Sequence, residues 1–238
     1  MSKGMRIAAI GDLHIQEESG RSFKKIFTNI SSKADILLLC GDLTHEGLTK
    51  EAEILVEELN YCTIPVVGVL GNHDHTNDQP EKIKKILSEK MFILDDHPYI
   101  FKGVGFAGVK GFGGGFDNHL TAPFGERILK QFVYEAINEA LKLEKALNEL
   151  ETEKKIVLLH YSPIRQTVAG EPLEIFPMLG TSRLIDPIEN YKVTAVFHGH
   201  AHHGTPQGKT SQGIPVYNVA FPLLSKLQPQ EPFMIITI

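Results

Sequence analysis

The chain has 238 residues, enough for one large domain that buries most of its apolar surface. Hydrophobic residues make up 42% and charged residues 22%, a balance that excludes a disordered or fibrous chain. The formal net charge of -5 argues against a broadly basic face for nucleic acid. Two cysteines, Cys40 and Cys62, are too few for a disulfide framework, and Cys40 sits in an apolar run as a small buried hydrophobe. No apolar run approaches the roughly 20 residues that span a bilayer, and residues 1–10 carry no signal core or cleavage site. These features predict a cytoplasmic protein that does not engage a membrane.

Residues 5–10 read as a first strand, short and continuously apolar and closed by Gly11, as in a strand buried on both faces. Residues 22–32 place Phe23, Ile26, Phe27 and Ile30 on one helical face. Residues 36–40 give a second strand. Thr49 is placed to cap a helix reaching Asn60, with Ala52, Val56 and Leu59 inward. Pro65 introduces a third strand at 66–70. Asp78 as cap and Pro80 in the first turn open a helix whose Ile83, Ile86 and Leu87 face the core. This alternation predicts a parallel α/β layer.

The pattern changes at residue 92. Apolar pieces at 92–94, 99–101 and 104–109, with no helix between them, predict antiparallel strands of a second sheet. The glycine-rich stretch 103–115 reads as a turn with close backbone packing, since no Gly-Lys-Ser/Thr follows to make a P-loop. Residues 126–153 repeat apolar positions near every 3.6 residues, predicting a helix roughly 40 Å long that packs across a sheet rather than in a dimer seam. A strand at 156–159 precedes an irregular segment, 161–179, whose three prolines suggest a loop over the site. A short helix near 182–191, a strand at 193–197 and closing strands at 215–219 and 233–238 complete the chain. There is no repeat, low-complexity tract or linker, so residues 1–238 are expected to form a single domain.

Five of the apolar runs stop at residues that bind metals. The first ends in Gly11-Asp12-Leu13-His14, the second in Gly41-Asp42, the third in Gly71-Asn72-His73-Asp74-His75. The run at 156–159 ends in His160, and that at 193–197 in His198-Gly199-His200-Ala201-His202. Open α/β sheets bind ligands at the carboxyl ends of their strands, so five such ends facing one crevice make a metal site. Asp12 and Asp42 offer carboxylates, His14, His160, His200 and His202 imidazoles, and Asn72 an amide oxygen. That mixture suits Mn, Fe, Zn and similar divalent ions. Seven donors exceed one tetrahedral site and suit two ions with one shared carboxylate. Two divalent cations outweigh two carboxylates, so the centre stays positive and favours an anionic substrate, with phosphate esters the obvious class.

Taken together, the blocks Gly11-Asp12-Leu13-His14, Gly41-Asp42, Gly71-Asn72-His73-Asp74, His160 and Gly199-His200-Ala201-His202 resemble the calcineurin-like metallophosphoesterase superfamily. All five occur in the family's order and span residues 12 to 202. The resemblance implies a four-layer αββα sandwich, two mixed β-sheets flanked by helices. It implies that Asp12, His14 and His202 hold one metal, that Asn72, His160 and His200 hold the other, and that Asp42 bridges them. It further implies a phosphoesterase that acts through a metal-bridging hydroxide, with His73 protonating the leaving oxygen and Asp74 orienting His73. Many members read Gly-Asp-x-x-Asp-x-Gly in the second block, whereas here His45 stands at the second acidic position. That position is not a usual ligand, so both metals are expected to be retained. The change bears on local hydrogen bonding and on the preferred metal.

Of the remaining histidines, His198 is placed to hydrogen-bond beneath the site and His119 to meet substrate. His45, His75 and His203 flank ligands as an outer shell, and His97 reads as a turn residue before Pro98. Two other readings stay open: a nuclease of the same fold, and a non-catalytic scaffold. Some scaffolds of this fold, such as a retromer subunit, lack the acid histidine, whereas His73 is present. A small phosphate monoester or diester is the expected substrate, and the sequence leaves the oligomeric state open.

Overall fold

The computed structural model describes residues 4–18 and 22–238, so residues 1–3 and 19–21 of the expected domain lie outside the described residues. In chain order the first half forms β1 (Arg6–Ile10), α1 (Lys24–Lys33), β2 (Ile36–Cys40), α2 (Thr49–Leu59), β3 (Val66–Val69), α3 (Pro80–Leu87), β4 (Phe92–Ile93), β5 (Tyr99–Phe101) and β6 (Val104–Val109). The second half forms α4 (Arg127–Asn148), β7 (Lys154–Leu159), α5 (Phe176–Leu179), α6 (Ile185–Asn190), β8 (Ala195–His198), β9 (Gln207–Lys209), β10 (Pro215–Asn218), α7 (Phe221–Leu227) and β11 (Met234–Thr237). One sheet has the order β11-β1-β2-β3-β4 and the other β5-β6-β7-β8-β10-β9. Both are mixed. β1 to β4 run parallel with β11 antiparallel at the edge, and β6, β7, β8 and β10 run parallel between antiparallel β5 and β9.

Side-chain alternation along the strands builds the layers. In β2, Leu37 and Leu39 face the cluster under α1, α2 and α3, where Phe27, Leu55 and Ile83 are buried. Ile36, Leu38 and Cys40 face the other way, against Phe106, Ile156, Leu158 and Phe197 of the second sheet. Val157 and Leu159 of β7 then point outward to Leu143, Leu147 and Ile188 of α4 and α6. Helices, sheet, sheet, helices is the expected αββα sandwich. Among the described residues no helix is long and apolar enough to cross a membrane.

Several details differ from expectation. β4 pairs parallel with β3 in the first sheet, because α3 supplies the crossover a parallel neighbour requires. Of the three pieces expected to pair antiparallel, β5 and β6 do so, turning through Lys102 (φ 47) and Gly103 (φ 78) as a two-residue primed turn demands. Thr49 is the first helical residue of α2 and caps nothing. Glu51 does that work, its carboxylate accepting from the backbone N–H groups of His45, Glu46 and Leu48. Asp78 lies at φ 51 outside α3, and Gln79 precedes the helix. α4 has 22 residues, about 33 Å at 1.5 Å each, and ends at Asn148. The loop 161–179 contains α5 and 3₁₀ turns at Arg165–Val168 and Leu173–Ile175, while α7 and β9 had no clear sequence signal.

Candidate metal centre

The loops after β1, β2, β3, β7 and β8 carry the expected donors to one edge of the sandwich. To do so the backbone takes a left-handed turn at Asp12 (φ 56), His14 (φ 45), Asp42 (φ 49) and His200 (φ 69). L-residues avoid that region at a cost of roughly 1–3 kcal/mol each, and such strain gathers at functional sites. Here it is held by cross-loop hydrogen bonds: Asp12 N–H donates to the Gly41 carbonyl at 2.9 Å and His14 N–H to the Asp42 carbonyl at 3.0 Å.

Two clusters result. Asp12, His14 and His202 each place one ligand atom within 4.8 Å of the others, with His202 Nε2 2.9 Å from Asp12 Oδ1. The His200 N–H donates to both Asp12 oxygens, at 2.9 and 3.0 Å, which ties the β8 loop of the second sheet to the β1 loop of the first. The contact requires Gly199, since a Cβ there would run into the Asp12 carboxylate and lie 2.8 Å from the Cys40 carbonyl oxygen. Asp42, His160 and His200 form the second cluster within the same 4.8 Å limit. Asn72 Oδ1 joins it, 2.9 Å from His160 Nε2. Asp42 stands between the clusters, Oδ1 3.3 Å from His160 Nε2 and Oδ2 3.8 Å from His14 Nε2. The seven expected ligand residues are thus brought together.

Backbone carbonyls fix which imidazole nitrogen faces the centre. His160 Nδ1 donates to the Cys40 carbonyl at 3.0 Å, leaving Nε2 toward Asn72 and Asp42. His200 Nε2 donates to the Met178 carbonyl at 3.2 Å, leaving Nδ1 free. Partners of this kind on the far nitrogen are what metal-binding histidines normally have. Both ring nitrogens of His14 are buried with no hydrogen-bond partner, an expensive arrangement that a metal ligand explains. Donor chemistry, spacing and orphaned nitrogens all fit divalent cations.

The electrostatics follow from crowding buried groups. Burial opposes the charge on Asp42, but His160, His73 and His14 hold its carboxyl well below the usual range. Burial likewise opposes charge on His160, and the Asp42 carboxylate overrides it, raising the imidazole to about 9. His14 and His200 are lowered to about 4, chiefly by burial. Asp74 is raised to about 6 by burial and by the neighbouring Asp42 charge.

Asp74 does not orient His73. Its oxygens accept from the N–H groups of Leu43 (3.2 Å), Thr44 (2.7 Å) and Gly71 (2.8 Å) and from the Thr44 hydroxyl (2.6 Å), so it clamps the β2 loop to the β3 loop. Both oxygens are thereby taken. The partner of His73 is the His45 carbonyl, to which Nδ1 donates at 2.6 Å, and His73 Nε2 lies 4.0 Å from Asp42 Oδ2. A backbone oxygen leaves no trace in a motif, so sequence reasoning missed it. It also missed Tyr161, whose ring packs 4.4 Å from that of His200.

The other histidines divide. His198 lies buried beneath the site, Nδ1 donating to the Gly199 carbonyl and Nε2 accepting from the Thr167 hydroxyl at 2.8 Å. His45 reaches the centre, its ring 5.5 Å from those of His14 and His73. His75 instead lines a charged cavity with Lys84, Lys110 and Glu139, and His203 binds Glu171 through its N–H. His119 is exposed in the 3₁₀ turn Asp117–His119, and His97 sits on the surface beside Asp96.

Comparison with known proteins follows the same lines. The family model described as calcineurin-like phosphoesterase matches residues 5–204. A probable glycerophosphodiester phosphodiesterase of Arcobacter nitrofigilis is 22% identical over 219 residues, covering 83% of this chain and 72% of that protein. A probable cyclic nucleotide phosphodiesterase of Synechococcus is 22% identical over 231 residues, covering 91% and 82%. Among solved structures, a phosphopantetheinyl hydrolase of Mycobacterium tuberculosis superposes with a TM-score of 0.71 at 15% identity, covering 99% of this chain and 97% of that one.

Proposed function

This chain belongs to the calcineurin-like phosphoesterase family and is a hydrolase of ester bonds, and we propose that it hydrolyses small phosphodiesters at a two-metal centre. The observation that carries the reading is the position of Asp42 between two clusters of donors, with His73 beside it. The phosphodiesterase names of the curated relatives favour diesters over monoesters. Asp12, His14 and His202 would hold one ion, Asn72, His160 and His200 the other, and Asp42 would touch both. Bound ions of the Mn, Fe or Zn class would supply positive charge for the phosphoryl oxygens and a water acidified to a pKa of about 7.

The chain's own groups do the rest. The His45 carbonyl holds His73 Nδ1–H at 2.6 Å, which turns Nε2 toward the centre. A protonated Nε2 there would pass its proton to the departing oxygen, with the Asp42 carboxylate 4.0 Å away. Asp74 keeps the β2 and β3 loops in register, so that Asp42 and His73 stay side by side. The carbonyls of Cys40 and Met178 keep the lone pairs of His160 and His200 aimed inward. We read the whole chain as one catalytic domain. Both cysteines are free thiols, which supports action in the cytoplasm.

The test is turnover of an aryl phosphodiester, beside the matching monoester, by chelated protein reconstituted with Mn²⁺, Fe²⁺ or Zn²⁺. Metal-dependent cleavage that favours the diester is expected. No turnover with any of the ions would contradict the proposal, and a monoester preference would contradict its substrate class.

A further inference from the structure

We propose that His14, His45 and His73 form a separate cation site that takes zinc or a similar borderline ion and, when filled, blocks His73. One ring nitrogen from each lies within 4.8 Å of the other two. The ring centroids are 4.5 Å apart for His14 and His73, and 5.5 Å for each ring to His45. His45 occupies the position where an acidic residue is usual, so this cluster brings two donors outside the seven, His45 and His73, beside the shared His14.

The second nitrogens are arranged as a metal site needs. His73 Nδ1 is held by the His45 carbonyl, so a neutral ring carries its lone pair on Nε2. His45 Nε2 lies 3.4 Å from the Glu46 carboxylate, while its Nδ1 is buried with no hydrogen-bond partner. Both ring nitrogens of half-buried His14 are shielded from solvent and have no hydrogen-bond partner. Ligating imidazoles commonly place the far nitrogen on a carbonyl or a carboxylate, as His73 and His45 both do. The Asp42 carboxylate borders the triad, Oδ2 standing 3.8 Å from His14 Nε2 and 4.0 Å from His73 Nε2, and offsets part of an incoming charge.

Three neutral imidazoles select ions differently from the carboxylate-bearing clusters beside them. They favour Zn²⁺, Cu²⁺ or Ni²⁺ over Mg²⁺ or Mn²⁺. His14 is common to the triad and to the Asp12 cluster, so an ion in the triad also draws a ligand away from that side. An ion on His73 Nε2 occupies the position from which the proton is given. The site itself does not depend on the reaction proposed above; its blocking effect rests on the role given there to His73.

Crystals of the Mn²⁺-loaded protein, soaked in zinc and measured on either side of the zinc absorption edge, test the site. A zinc peak at coordination distance, about 2.0–2.1 Å, from His45 and His73 nitrogens is expected. Zinc confined to the Asp12 and Asp42 clusters overturns the proposal. A peak in the triad supports it whatever those clusters hold, so this reading and the two-metal reading fail separately. The variant His45→Asn keeps the backbone carbonyl that holds His73 and removes one ligand. Added zinc should inhibit the Mn²⁺-loaded variant at concentrations at least about tenfold higher than the natural protein. Equal sensitivity overturns the blocking effect.

Discussion

The two sheets bring different chemistry to the same edge. The first sheet supplies the acids, Asp12 and Asp42, together with Asn72 and His73; the second supplies only imidazoles, His160, His200 and His202. Of the seven donors expected at the two-metal centre, His14 is the one imidazole on the acidic side. Neither half alone therefore holds the full donor set of a two-metal centre. The negative charge that would attract cations lies on one face, the imidazoles that would complete their coordination on the other, and the apolar layer between the sheets sets their spacing.

The largest way to break this arrangement is to remove the carboxylate that both halves share. Asp42→Asn is expected to abolish turnover and to lower metal affinity by more than the about 10–100-fold typical of losing an outer partner, measured by metal content after dialysis. Next comes His73→Gln, which should lower kcat by about 10²–10⁴ with both ions retained. Loss of metal in that variant would make His73 a ligand rather than an acid. Gly199→Ala attacks the seam itself, pushing a methyl group into the Asp12 carboxylate. It should cost about 1–3 kcal/mol in denaturant unfolding.

Protonation sharpens the same contrast. His160 is raised to about 9 beside Asp42 in the metal-free chain, so a cation must displace its proton, whereas His200, lowered to about 4, is already neutral. Metal affinity at the Asp42 cluster should therefore rise as pH increases from about 6.5 toward 9. The metal-free chain should respond in the opposite sense. A raised folded pKa contributes stability that is complete below about 6.5 and lost as pH rises through about 9, so its unfolding temperature should fall across that window. A flat profile would contradict the His160–Asp42 pairing. The change farthest from the donors is Thr167→Val beneath His198. It removes a buried hydroxyl bonded to His198 and Ser162 and should cost about 1–3 kcal/mol without changing metal content.

Much of this was legible in the sequence because it rests on strand ends. Runs such as 36–40 and 156–159 are buried on both faces, so they read as unbroken apolar blocks, and the polar residue that ends each block stands out. The two-layer core follows from their period of two. Sheet membership was less legible. Phe92–Ile93 carries no mark of the sheet it joins, and its parallel pairing depends on the crossover through α3. Side-chain identity was readable and side-chain partnership was not. Asp74 follows His73 in sequence, yet its carboxylate turns to the backbone of Leu43, Thr44 and Gly71, and a carbonyl 28 positions upstream of His73 holds the imidazole. Motif spacing records which residues are present, while backbone acceptors such as those of His45, Cys40 and Met178 exist only after folding.

The most direct measurement is a metal-loaded crystal structure of the reconstituted chain with its ion content determined. The account predicts two ions per chain, one touching Asp12, His14 and His202, the other Asn72, His160 and His200, and Asp42 touching both. A single ion, or two ions neither of which joins donors of both sheets, would contradict it.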